Sequence, residues 1–315
     1  MNIVYLGTPQ FAVLPLQAVL NSTHSVAAVI SQPNRETDKK GRVMPTPVAE
    51  FAQQNGLRVL QYPNVCTREA IAAVAALKPD VMVTAAFGQL LSAEFLSIAP
   101  VYNIHASLLP AYRGSAPIQA AILNGESQTG ITVMKTVLAM DAGDILLSQK
   151  IAIEADEPFY SLHDRLSALG AVLLVKALDL LQSGSFTLTP QNPRLATYTK
   201  KITKADGLLD FSLSAEILAR RVRAYNPWPA AFTFYKGQYI KIYAAKSIKT
   251  EPMRNIPCGT VIKSCQKEGI WVQCGQDALN ITSLQISGKR VLSAAEFLRG
   301  FPLAEGARLG QEGLA

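Results

Sequence analysis

"NIVYLGTPQFAVLPLQAVLNSTHSVAAVISQ", residues 2–32, carries the pattern that decides the fold. Residues 2–7 form a short apolar, β-branched run ending at Gly7, residues 11–22 follow with helical spacing despite Pro15, and residues 26–32 form a second strand-like run. The alternation continues downstream. PVAEFAQQNG (47–56) reads as a helix ended by Gly56, REAIAAVAALKPD (68–80) as another helix, VMVTAA (81–86) as a strand, and Tyr102–His105 closes a further strand-like piece. Strands and helices alternating at this spacing predict βαβ units, a parallel sheet and an α/β doubly wound fold. Ligands of such sheets bind outside the carboxyl ends of the strands, which directs attention to Asn103 and His105.

The chain's 315 residues favour two domains. Residues 161–184 read as a long amphipathic helix stopped by Gly184, the Pro-containing stretch 187–201 as a linker, and SAEILARRVRAY (214–225) as one more helix. The pattern then changes to short β-like pieces, AFTFY, YIKIYAA, GTVIKS, GIWVQC and ALNITSLQ, which predict a small β-barrel or sandwich. A hydrophobic fraction of 49% and a charged fraction of 17% fit a globular protein. No eighteen-residue window is uninterruptedly apolar, and no basic segment precedes the first apolar run, so the expectation is a cytoplasmic protein without a membrane span. The spacings of Cys66, Cys258, Cys265 and Cys274 suit reduced, packed thiols.

Charge is unevenly placed. Residues 1–200 hold 14 Lys/Arg and 14 Asp/Glu, and residues 201–315 hold 16 and 9, so the net charge of +7 falls in the last third. A basic surplus confined to one domain suggests a polyanionic partner, nucleic acid first, although a solvated surface would look similar. The loop 32–45 adds Arg35, Lys39, Lys40 and Arg42 after a strand end, where they could clasp a phosphate backbone.

Several chemistries lack their signatures. GTPQF (7–11) is neither a dinucleotide nor a P-loop fingerprint. His24, His105 and His163 are scattered, which argues against a metal site, and there is no GxSxG elbow. What remains is Asn103, His105 and the acidic pair Asp141 and Asp144 of MDAGDI. An amide, an imidazole and a carboxylate suit attack by an amine on a carbonyl carbon, two groups holding the oxyanion and the third managing the proton. Taken singly, each has a plainer reading: a histidine packed after a strand, an asparagine cap, two aspartates in a turn around Gly143.

Eight segments in order, GTPQFA, SQPNR, MPTPV, NIHASLLPAYRGSAPIQ, TGIT, MDAGDI, TYTKKITKADGLLDFS and AYNPWPAAF, give the chain a close resemblance to the methionyl-tRNA formyltransferase family. The resemblance implies a Rossmann-like formyltransferase domain over 1–189, a linker over 190–207 and a basic, OB-like tRNA-binding domain over 208–315. It implies transfer of the formyl group of 10-formyltetrahydrofolate to the amino group of initiator methionyl-tRNA; the scattered histidines argue for no metal, and a monomer is the default expectation because nothing in the sequence advertises a subunit interface. Asn103, His105 and Asp141 match the catalytic trio. The folate is expected along Phe87, Gly88, Gln89 and Leu90, against Ser107, Leu108, Leu109 and Pro110, and beside Asp144. The tRNA is expected on Arg35, Lys39, Lys40, Arg42, Lys204, Arg220 and Arg223. The loop departs from the family pattern by Glu36, Asp38 and by Lys39 where an arginine often stands, a point charge in place of a planar fork. A sugar-nucleotide or purine-precursor formyltransferase would share the trio without needing a basic barrel.

Overall fold

The computed structural model describes residues 1–34, 41, 43–251 and 255–310. The chain divides into two compact units, one formed by 1–117, 128–152 and 163–199, the other by 118–127, 153–162 and 200–315.

The first unit is built as the opening sequence predicts. β1 (Asn2–Gly7), α1 (Val13–Leu20) and β2 (Ser25–Ser31) are followed by α2 (Pro47–Gln54), β3 (Val59–Gln61), α3 (Arg68–Ala75), β4 (Val81–Ala85), α4 (Ala93–Leu96) and β5 (Val101–His105). The helices start at sequence-encoded caps: Thr46, Thr67 and Ser92 each accept a hydrogen bond from a backbone N–H of the first turn. Strands β3-β2-β1-β4-β5 run parallel in that order, so the order reverses between β1 and β4, where the Rossmann-type crevice opens. Gly7 ends β1 where a Cβ would meet Ala12 and the Tyr5 ring at 2.8 and 2.9 Å, so close packing as well as the turn excludes a side chain there.

Beyond β5 the sheet is no longer parallel. After β6 (Arg113–Gly114) and α5 (Pro117–Leu123), β7 (Gln128–Lys135) pairs antiparallel with β5, and β8 (Ile145–Ala152) pairs antiparallel with β7. The loop of this β7–β8 hairpin brings Asp141 back to the end of β5. Helix α6 (Phe159–Ser183) lays Gly170 against Ile104. It is the one described helix long and apolar enough to cross a membrane, and 44% of its apolar window is buried within the protein. Part of the stretch read as a linker is built into this unit: β9 (Tyr198–Thr199) pairs with β6, and Gln191 bonds the β7–β8 loop.

In the second unit α7 (Ala215–Tyr225) precedes β10 (Ala231–Tyr235), β11 (Gln238–Ile248), β12 (Val261–Cys265), β13 (Gly269–Gln273), β14 (Ala278–Ile286), β15 (Leu292–Ser293) and α8 (Ala294–Gly300). The main antiparallel path is β10-β11-β14-β13-β12. Its two ends are joined by one segment, since Arg308 bridges Thr260 beside β12 and Gly310 bridges Phe234 in β10. The enclosed core includes Leu218 and Val222 of α7, Ile242, Val272, Leu279, Phe297 and Leu309.

Candidate active site

Asn103 and His105 stand two residues apart on β5, so both side chains project from the same face of the sheet at its carboxyl end. The neighbouring parallel strand supplies Thr84, directly paired with Asn103, and the Thr84 hydroxyl donates to Asn103 Oδ1 at 2.9 Å. That bond fixes which way the amide points: Nδ2 faces the β7–β8 loop and lies 3.5 Å from Asp141 Oδ1.

His105 is buried, with 5% of its surface exposed. Its Nε2 lies 2.9 Å from the carbonyl of Tyr112, which accepts only, so Nε2 carries a hydrogen. Nδ1 is 3.7 Å from Asp141 Oδ2, close enough for an ionic attraction and too long for a hydrogen bond. An oxygen atom placed beside Nδ1 would therefore compete with no existing hydrogen bond to Asp141. Both ring nitrogens face oxygen atoms, the Tyr112 carbonyl and the Asp141 carboxylate.

Asp141 holds φ at +49°, the left-handed region. Its Oδ2 accepts the backbone N–H of Gly114 at 2.8 Å, and its own carbonyl accepts from Gln191 Nε2 at 2.8 Å. Two positions on, a Cβ at Gly143 would collide with the carbonyl of Lys135. The hairpin closes there through the Lys135 N–H, which donates to the Asp144 carbonyl at 2.9 Å.

Residues 106–112 wrap the histidine. Ser107 is fully buried, and its hydroxyl donates to the Ala111 carbonyl at 2.6 Å. The Ser107 carbonyl accepts the Thr132 hydroxyl, which in turn accepts the Leu109 N–H, and the Leu109–Pro110 bond is cis. These contacts shape the turn and leave Ser107 no free hydroxyl hydrogen. Phe87 is buried, and its carbonyl accepts from Thr8 and Gln32. Gly88 takes φ +83°. The Gln89 amide is engaged by Val65 and Tyr62, and Leu90 is 76% exposed.

Arg35, Lys39, Lys40 and Arg42 lie outside the described residues. Lys204 is exposed in a short 3-10 turn. Arg220 pairs with Glu216 one helical turn away. Arg223 donates to the Ala155 carbonyl at 2.7 Å and pairs with Asp156, which also binds Lys246. Asp156 is held below the usual carboxylate range, first by the hydrogen bond from Lys246, then, against a smaller opposing effect of burial, by the charges of Lys246 and Arg223. No group of three or more metal-ligating side chains occurs among the described residues.

Thr84, Arg113 and Gln191 are contributions that sequence reading did not single out. A threonine in an apolar strand and a glutamine in a Pro-containing stretch have no local signature, and only the pairing of distant segments reveals what they touch.

A strand-end amide and imidazole facing a loop carboxylate, on a doubly wound sheet, define a formyl-transfer type of site, and the comparisons agree with that class. Residues 1–178 match the family described as Formyl transferase, and residues 201–302 match the Formyl transferase, C-terminal domain. The chain is 40% identical to methionyl-tRNA formyltransferases of Citrifermentans bemidjiense, over 99% of this chain and 97% of that one, and of Acetivibrio thermocellus, over 99% and 100%. Among solved structures, an N-formyltransferase from Helicobacter canadensis in complex with folinic acid and dTDP-3-aminofucose shares the fold, with a TM-score of 0.67, 18% identity, and 91% and 99% coverage. HypX from Aquifex aeolicus in complex with tetrahydrofolic acid does so with a TM-score of 0.62 and 17% identity, over 95% of this chain and 47% of that one. The chain belongs to the methionyl-tRNA formyltransferase family.

Proposed function

We propose that this protein transfers the formyl group of 10-formyltetrahydrofolate to the α-amino group of methionine on charged initiator tRNA, giving N-formylmethionyl-tRNA. The observation that carries the reading is the meeting of Asn103, His105 and Asp141 at the end of β5 in a chain 40% identical, over nearly its full length, to enzymes of that name. The amine attacks the formyl carbon, forming a C–N bond and a tetrahedral oxyanion. Asn103 Nδ2 and His105 Nδ1–H stabilise that oxyanion, since Nε2–H is committed to Tyr112 and Asn103 Oδ1 to Thr84. Asp141 keeps the imidazole oriented and helps carry the proton lost by the ammonium group. Collapse breaks the bond to the folate N10, which takes a proton as tetrahydrofolate leaves.

The folate fits along Phe87, Gly88, Gln89 and Leu90 through backbone groups and the exposed Leu90 side chain, because the Gln89 amide is already occupied. Leu108, Leu109, Pro110 and Asp144 bound the same crevice, with Ser107 acting from below. The functional division gives chemistry to the first unit, residues 190–199 included, and tRNA binding to 208–315, an OB-like closed sheet. Lys204, Arg220 and Arg223 with the 35–42 cations form the tRNA contact, Arg220 and Arg223 exchanging carboxylate partners for phosphate. The protein works as a cytoplasmic monomer, without a membrane.

The test is formyl transfer to methionyl initiator tRNA with free methionine and a sugar-nucleotide amine as competing acceptors. Selective formylation of the tRNA is expected. Transfer to a small amine alone would overturn the assignment of residues 208–315.

A further inference from the structure

We infer that Gln191 is a positioning residue for formyl transfer, acting through Asp141 by holding the β7–β8 loop in its reactive shape. The inference rests on the role proposed above for Asp141. A non-glycine residue keeps φ near +49° only where its surroundings fix it. Gln191 supplies that fixation from fifty residues away in sequence. Its amide nitrogen donates to the Asp141 carbonyl at 2.8 Å and to the Gly143 carbonyl at 2.7 Å, spanning the turn. Its amide oxygen accepts Arg113 Nε at 3.1 Å and Nη2 at 2.8 Å, a bidentate contact.

All four hydrogen-bonding positions of the amide are filled. Rotating it by half a turn would set its oxygen against two carbonyls and its nitrogen against a guanidinium, so the network itself fixes the orientation. Arg113 is in turn buried, lies 5.9 Å from the Tyr198 ring and donates to the Tyr198 hydroxyl at 3.3 Å. The next residue, Gly114, donates its N–H to Asp141 Oδ2. Backbone and carboxylate of Asp141 are thus tied to one assembly, the former through Gln191 and Arg113, the latter through Gly114. With both ends of its amide occupied, Gln191 has no hydrogen-bonding group left to offer a substrate.

Two variants separate the halves of the contact. Gln191→Glu keeps the acceptor for Arg113 and turns the donor into an oxygen facing two carbonyls; Gln191→Met removes both donors at similar volume beside Met134. Each is expected to lower kcat about tenfold or more with KM for tRNA and folate nearly unchanged, because the loss falls on geometry at the reacting centre. Combined with Asp141→Asn, Gln191→Glu should add almost nothing, since a residue acting through Asp141 has nothing left to position. Thermal melting accompanies each assay, so that a fold defect in one variant leaves the other to decide.

Near-normal kcat in both Gln191 variants beside a crippled Asp141→Asn would overturn this inference and leave the proposed chemistry standing. Fully multiplicative losses in the double variant would overturn it as well. Normal turnover in Asp141→Asn would remove the role of Asp141 and the inference with it.

Discussion

His105 shows how much one backbone carbonyl can decide. Tyr112 fixes the Nε2 hydrogen, and this leaves Nδ1, 3.7 Å from Asp141, as the nitrogen that the proposed mechanism turns toward the oxyanion. His105→Ala removes a donor aimed at the developing charge, so turnover should fall by about 10²- to 10⁴-fold with tRNA binding nearly intact, as steady-state kinetics beside a filter-binding assay will read. Thr84 makes a finer test. Thr84→Val keeps shape and burial but deletes the hydroxyl that holds Asn103 Oδ1, freeing the amide to turn. A fall in kcat of about tenfold with unchanged KM is expected, and an unchanged kcat would mean that Asn103 is held by something else. At this scale the sequence singles out the three side chains that meet at the end of β5 and is silent about their supports. Asn103, His105 and Asp141 announce themselves by side-chain chemistry and by standing at strand ends. Thr84 lies within a run that reads only as apolar strand, and Tyr112 acts through its backbone, which has no letter of its own.

The elements were legible where periodicity is local. β1, β2, β4 and β5 stand where the apolar runs place them, and the parallel pairing follows from the helices between. β7 and β8 were not legible. Their antiparallel pairing beyond β5 depends on a hairpin whose nine-residue loop, 136–144, exists to carry Asp141 rather than to turn tightly. Gly143 is the point where that loop touches its own strand, for the Lys135 carbonyl occupies the place of a Cβ. Gly143→Ala must push the loop outward, and a displacement of about 1 Å at Asp141 should lower kcat roughly 10²-fold, well beyond any loss in melting temperature. Activity retained in a folded Gly143→Ala protein would show that the loop is free to adjust. In the second unit, Asp156 joins α7 and β11 through Arg223 and Lys246. Its folded carboxyl is held below the ordinary value, so the pairing stabilises above that value and is lost as pH falls through the lowered one. Because its side chain is 64% exposed, solvent screens the attraction and the effect is small. The melting temperatures of wild type and Asp156→Asn should differ at about pH 6 and draw together as the pH falls through the lowered carboxyl value; a gap that widened on acidification would contradict the assignment.

Over the whole molecule, charge and shape have to be taken together. The excess of seven positive charges lies after residue 200, yet 118–127 and 153–162 pack with that part of the chain and bring Glu126, Glu154, Asp156 and Glu157 with no Lys or Arg. Two cations of α7 are engaged, Arg223 with Asp156 of the 153–162 segment and Arg220 with Glu216 of its own helix, whereas Lys204, Lys267, Lys289 and Arg290 are exposed. Counting residues along the chain could not show this, because neutralisation is a property of the folded surface. If these cations meet RNA phosphates, binding releases condensed counterions, and affinity falls as a power of salt concentration. About three such contacts would raise KM for the tRNA roughly twenty- to fortyfold between about 50 and 200 mM monovalent salt, with kcat nearly constant. The folate KM, measured in parallel, should move little, since a single small anion releases few ions. Replacing Lys289 and Arg290 by alanine should flatten the tRNA slope by up to two contacts' worth without touching kcat. A tRNA KM insensitive to salt would mean that the basic surplus serves solubility alone, and recognition of the acceptor would then have to come from uncharged groups.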